Sequence, residues 1–375
     1  MAGDCAVSGN TIFYLLRDFN AVCRKKTDTG EMELYPGVPE EKAFGKQMAS
    51  RIMVWGEKLV FIPRGAKAIW FSDMELHDWE RVGFEAVTEK FHTEYAALQA
   101  FFYKNRLYII GSDYPAIMCL NEENRLTYIR EPYQRFMSEI GKMREFFFRK
   151  AYTIQNHSIY LASCRDNFVL KLCLDTCAYE WIEVGTKGNR YSGIAYDGEY
   201  FWLAPRCSDT PIVKWDGRRT VEEIDLWDDF KKCRRPFLGV LNIGEGVLFP
   251  GYEQKYSLFI SRQGEIETAE GQYVFYKESE EGEFFAQHID GTLMRFWQDK
   301  NMQDISCVIQ RDVFLRFADR NIADSGLLFS SKIVEDDVIR LNEMIKLFMK
   351  PEIHRLSSSA ENCGQRIWTA TSKER

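Results

Sequence analysis

Seven stretches of the chain share one fourteen-residue frame, and the last place of that frame holds Arg17, Arg64, Ser112, Arg165, Arg206, Tyr252 and His288. A guanidinium that returns at a fixed register suits one kind of chemistry: its planar fork of donors matches a carboxylate or a phosphate bidentately. The segments that connect one stretch to the next add Lys46, Arg149, Lys150, Arg190, Arg234 and Arg235. Tyr252, Tyr191, Phe148 and His288 would supply the ring faces and donors that a sugar or nucleotide requires. The predicted site for an anionic ligand therefore comprises Arg17, Arg64, Arg165, Arg206, Tyr252, His288, Arg190 and Arg235.

A purely architectural use of the same residues stands beside this one. Asp18, Asp113, Asp166, Glu253, Asp290 and, farther on, Asp209 follow the recurring register, so neighbouring repeats could be stapled by Arg and Asp. Each exposed pair of that kind contributes only about 0 to 1 kcal/mol. Arg64 is the exception, because Gly65 follows it. Catalysis would require an acid and a base to converge, with or without a nucleophile, and His288 with Asp290, or Asp166 with Asp113, are the pairs at hand. The sequence has no phosphate-cradling glycine loop, HExxH helix or nucleophile elbow, and "GTKGNR" at 185–190 is too short for a Walker motif. Catalytic residues stay unassigned. The pattern favours a binding or scaffold module, with a lyase or hydrolase acting on an acidic carbohydrate as the alternative.

These residues need elements to hold them. "DCAVSGNTIFYLLR", "RIMVWGEKLVFIPR", "QAFFYKNRLYIIGS", "YTIQNHSIYLASCR", "GIAYDGEYFWLAPR", "GVLNIGEGVLFPGY" and the looser "YVFYKESEEGEFFAQH" each read as strand, tight turn and strand. A third strand follows, as in "AIWFSD" and "PIVKWD", and a short fourth one closes the unit, as in "DWERVGF" and "TVEEIDL". Units of four strands that recur roughly every 36 to 53 residues predict blades arranged radially, which bury their faces against one another. The expected fold is all-β: a seven-bladed β-propeller of four-stranded antiparallel blades over residues 1–309, with a short helical extension. In such a ring the loop after each second strand and the linker to the next blade open on one face, which gathers the arginines. "KTDTGE", "FSDMELHD", "NEENR" and "KESEEGE" give the opposite face an acidic lean.

"FVLKLCLDTCAYEWIEVG" and "AIWFSDMELHDWERVGF" resemble the second half of a kelch repeat, with Trp181 and Trp79 at that family's Trp position. The likeness spans roughly residues 4–309, but the double glycine of the kelch pattern is absent from every copy. The resemblance implies a fold and carries over no functional residue.

Two segments depart from the repeat. "YQRFMSEIGKMREFFFRK" at 133–150 is an insertion between the third and fourth units with helix-like apolar spacing, and Arg135, Lys142 and Arg144 could make it a lid. Residues 310–375 lose strand character and form a predicted helical tail packed on the propeller. Within it "VEDDVIRLNEMIKLFMK" at 334–350 reads as an amphipathic helix ended by Pro351.

Composition bounds the partners. A 375-residue chain with 45% hydrophobic and 14% aromatic content buries a large core. The net charge of −7 argues against duplex nucleic acid, which demands a basic footprint. The absence of a cationic leader and of any long apolar run implies a cytoplasmic protein with no membrane span. Ten scattered cysteines, of which Cys164, Cys173 and Cys177 are the closest grouping, read as reduced core residues rather than a metal site. The expected partners are an anionic small molecule, an acidic glycan or a protein. No cofactor is implied, and a monomer is expected.

Overall fold

Two-residue turns set the register of the hairpins. Ser8 faces Thr11 across Gly9 and Asn10, and Trp55 faces Lys58 across Gly56 and Glu57. In the third and fourth repeats the turns are Lys104-Asn105 and Asn156-His157, all four with positive φ, the backbone that matches the natural twist of the strands. The computed structural model describes residues 2–85, 95–139, 146–149, 151–278, 283–296 and 302–325. Over these, the chain forms seven four-stranded sheets, each built from consecutive antiparallel strands. The protein is a seven-bladed β-propeller.

The strand sequences follow from their radial position. Second strands such as Thr11–Leu16, Lys58–Pro63 and Phe201–Pro205 are buried almost end to end, because each lies between the sheets of two neighbouring blades. Their apolar residues run continuously for the same reason that two-sided strands do elsewhere. Fourth strands such as Trp79–Gly83, Thr220–Ile224 and Ile266–Glu270 lie on the rim, and their charged side chains protect an exposed edge.

First strands line the central channel, and their pairing is interrupted at one recurrent place. A register shift falls between Ala2 and Asp4, Ala49 and Arg51, Tyr191 and Gly193, and Tyr273 and Phe275, and in the third blade it leaves Leu98 unpaired between Ala97 and Gln99. These β-bulges twist the inner strands and re-aim the side chains that follow. Small residues then let the strands converge: a Cβ at Gly193 would collide with the Ala151 side chain of the preceding blade.

Among the described residues no strand is exchanged between the first and last blades, and side chains bridge them. The Tyr14 hydroxyl donates to the Ile305 carbonyl at 2.6 Å, and the Lys277 ammonium donates to the Cys5 carbonyl at 2.7 Å. A helix, Arg311–Ser325, follows the seventh blade and lays Phe314 and Phe317 against Phe19 and Phe44 of the first. Arg320 reaches Glu33 at 3.0 Å. The amphipathic segment at 334–350 lies outside the described residues.

Phe317 is fully buried, so Phe317→Ala is expected to lower unfolding stability by about 3 to 5 kcal/mol in urea titrations. A loss under 1 kcal/mol would show that the helix does not clasp the ring. Glu33 carries a pH signature: the Tyr35 hydroxyl, opposed by partial burial and aided by Arg320, holds its carboxyl below the usual range. A depressed carboxylate pKa adds stability that is present at neutral pH and lost as pH falls through the folded value. Glu33→Gln is therefore expected to reduce the acid-induced loss of stability, read as a smaller drop in melting temperature on acidification.

Candidate functional site

The face that carries the loops after the second strands is knit by backbone hydrogen bonds between blades. Ala96, in the linker to the third blade, donates its N–H to Arg64 of the second and accepts from Ser112 of the third. Phe147 does the same between Ser112 and Cys164. The pattern returns where Tyr191 donates to Ser163 and Arg190 accepts from Arg206, and where Tyr273 donates to Gly251 and Gln272 accepts from Ile289. Linker residues and post-strand residues are thereby forced side by side.

One cluster of guanidiniums results. Arg149 and Arg235 approach the ring of Tyr252, with their Cζ atoms 5.7 and 4.9 Å from its centroid. Burial, then the charge of Arg206, then that of Arg235 more weakly, depress the pKa of Arg149 below the ordinary guanidinium value. Glu253 answers Arg235, accepting from its Nε at 2.6 Å and from its backbone N–H at 2.9 Å. Arg149 has no such answer among the described residues: its Nε and Nη1 are buried there without a hydrogen-bond partner.

The remaining predicted residues lie at other sectors. Arg64 donates to Gln47 at 2.5 Å and to the Tyr95 hydroxyl at 2.7 Å, so its bonds among the described residues go to neutral groups. Arg165 lies over the Phe147 ring at 4.4 Å, and Arg17 is exposed on the first blade. His288 pairs with Asp290, Nδ1 to Oδ2 at 3.2 Å, and meets the Tyr273 ring edge-on. Two expected ring faces are not available to a ligand. Tyr191 is fully buried with its hydroxyl on the Val184 carbonyl, and Phe148 is buried against Trp181. Both fill blade interfaces, Phe148 among Tyr133, Phe136 and Phe147 and Tyr191 among Ile194, Phe201 and Trp215.

The insertion is wall rather than lid over its described part. Glu131–Glu139 forms a 3₁₀ helix whose Tyr133 and Phe136 pack with Phe147 and Phe148 between the third and fourth blades. Arg135 lies over Phe168 and Trp181 at 4.1 and 4.5 Å and pairs with Asp166 at 2.8 Å. Lys142 and Arg144 lie outside the described residues.

The channel holds a second polar assembly that the repeat register pointed to only indirectly. A cavity of about 1110 Å³ is lined by first strands of all seven blades, from Arg51, Gln99 and Lys277 in its depth to Ser8, Gln155 and Asn242 near the hairpin turns. Behind it Asp4 is fully buried, with Oδ2 accepting from the Ile52 N–H at 2.8 Å. Arg51 and Lys277 flank that carboxylate at 3.9 and 3.6 Å. The signal in the sequence is that Asp4, Arg51 and Gln99 each occupy the first place of the fourteen-residue frame, on strands otherwise apolar.

The fold and these two polar centres define a β-propeller with an arginine cluster on one face and a polar floor in its central channel. No protein-family model matches the sequence, and no curated protein matches it. Solved structures do resemble it. The virginiamycin B lyase of Staphylococcus aureus aligns with a TM-score of 0.53 at 10% identity, covering 81% of this chain and 94% of that one. BamB from Moraxella catarrhalis gives 0.53 at 12% identity over 79% and 85% of the chains, and YCF48 from Cyanidioschyzon merolae 0.51 at 15% over 79% and 95%. At these identities the likeness is one of fold.

Glu253→Gln releases Arg235 and raises the positive potential around Tyr252. Sulfate binding at this cluster, measured by isothermal titration at fixed ionic strength, is expected to strengthen roughly fivefold, the worth of one ~1 kcal/mol pair. Unchanged affinity would remove Arg235 from the site.

Proposed function

We propose that the protein is a binding propeller that recognises an anionic group, on a small molecule, an acidic glycan or an acidic protein segment, at Arg149, Arg206, Arg235 and Tyr252. The observation that carries this reading is the guanidinium of Arg149, whose buried Nε and Nη1 have no partner among the described residues and which has further cations beside it. A buried charge left unpaired is costly, and an anion that seats between guanidiniums relieves both desolvation and repulsion. The kelch-like half-repeats around Trp79 and Trp181 agree with a scaffold of this kind. The enzymatic alternative draws on the His288–Asp290 pair and on a lyase among the structural neighbours. Turnover of an acidic polysaccharide that disappears in His288→Gln would favour it.

The sign of the Arg149 shift gives a test that ordinary binding residues do not. A cation whose folded pKa lies below its unfolded value opposes folding at every pH below the folded pKa, so the penalty is fully present at neutral pH. Arg149→Met is expected to stabilise the ligand-free protein by about 1 kcal/mol or more and to abolish the rise in melting temperature that phosphate or sulfate gives the wild type at constant ionic strength. A destabilised variant together with a wild type indifferent to both anions would overturn the reading.

A further inference from the structure

We propose that the central channel is a second, separate binding site, selective for a single carboxylate carried on an apolar or aromatic stem. The bulges come first. In three successive blades a β-bulge immediately precedes a polar residue, Asp4, Arg51 or Gln99, and two of these, Arg51 and Gln99, line the cavity. Bulges that re-aim side chains cluster next to sites, and here the same device is used on adjacent strands of one wall.

Charge then fixes the occupant. Glu283 and Arg295 pair with each other on the seventh blade, and both line the cavity. Among the described residues, that leaves Arg51 and Lys277 against the one carboxylate of Asp4, an excess of one positive charge in a buried setting. Neither cation closes a tight pair with it: the separations of 3.9 and 3.6 Å exceed the 2.7 to 2.9 Å of a charge-assisted bond. Lys277 instead spends donors on the Cys5 and Ile52 carbonyls, and Arg51 uses Nη1 on Gln99 and on the Ala100 carbonyl. A guanidinium has five N–H donors, so Arg51 keeps capacity for a ligand oxygen. A monoanion balances this floor, whereas a phosphate dianion would overcharge it.

The walls select the stem. Above the floor the lining combines Met53, Val54, Phe102, Tyr152 and Phe285 with Ser8, Thr153, Gln155 and Asn242, so the cavity is charged at its base and offers aromatic and aliphatic groups among polar ones along its sides. A volume of about 1110 Å³ lies just above the roughly 300 to 1,000 Å³ of pockets that enclose drug-sized ligands, far more than a carboxylate alone fills. The nearby thiol of Cys5 is a spectator, since burial pushes it up to about 12 and keeps it neutral.

The test titrates the full-length protein calorimetrically with phenylbutyrate and octanoate, each against its own amide. The acids are expected to bind and the amides to bind about tenfold more weakly, the worth of a charged hydrogen bond. Arg51→Gln is expected to erase the difference between acid and amide. Ser8→Trp fills the cavity from its rim without touching the floor and is expected to abolish binding of both acids, with the β-sheet circular dichroism of the wild type retained. Peptides ending in Phe, as free acid and as amide, distinguish a protein C-terminus from a free organic acid as the source of the carboxylate, and tighter binding of the acid form supports the same chemistry. Failure of every acid to bind, equal binding of acids and amides, or undiminished binding in Ser8→Trp would overturn the proposal.

Discussion

Backbone hydrogen bonds across the blade junctions are the interaction on which this molecule turns. A linker residue has no strand partner of its own, and a buried N–H or C=O without one costs free energy. Here the N–H of the linker goes back to the previous blade and its C=O goes forward to the next, as at Ala96 and Phe147. The relay ties each sheet to its neighbours and also brings linker side chains next to those that follow the second strand. Arg149 stands beside Arg206 and Arg235 because the backbones on either side have already been paired.

Two polar centres with different physics share the ring. The basic face concentrates cations that repel one another at blade junctions, where Glu253 pairs with Arg235. The channel floor mixes signs, with Asp4 buried among cations and its Oδ1 without a hydrogen bond. The first arrangement stores repulsion that an incoming anion removes. The second stores a smaller imbalance at the base of a channel of mixed polar and apolar lining, so shape and charge act together. Aromatic packing supports both: Phe147 serves the linker relay through its backbone and carries the Arg165 guanidinium on its ring.

The propeller was legible in the sequence because each blade repeats a local rule. Turn residues such as Gly9, Gly56 and Asn105 mark the hairpins, and apolar second strands contrast with charged fourth ones, so blade number and strand order follow from pattern alone. The site was legible only as a face. Periodicity placed Arg206 and Tyr252 at the same level of the ring, but it could not say that Tyr191 and Phe148 fill blade interfaces, which depends on how neighbouring sheets meet. Arg149 escaped emphasis because it belongs to an insertion outside the repeat. The bulges were hidden for a related reason: one unpaired residue at the start of a strand leaves the hydrophobic alternation around it intact, while changing where Asp4, Arg51 and Gln99 point.

Because every blade is a contiguous length of chain, the ring has one junction of a different kind from the other six. Six junctions are crossed by a covalent linker, whereas the seventh is bridged by Tyr14, Lys277 and the helix carrying Phe314 and Phe317. Topologically the molecule is a necklace with a clasp. A permuted gene that began at any other linker would encode the same seven sheets, yet it would move the clasp to a place with no helix to fasten it. The order of the blades along the chain is thus free in principle, and what anchors it is the short helix that comes after the last of them.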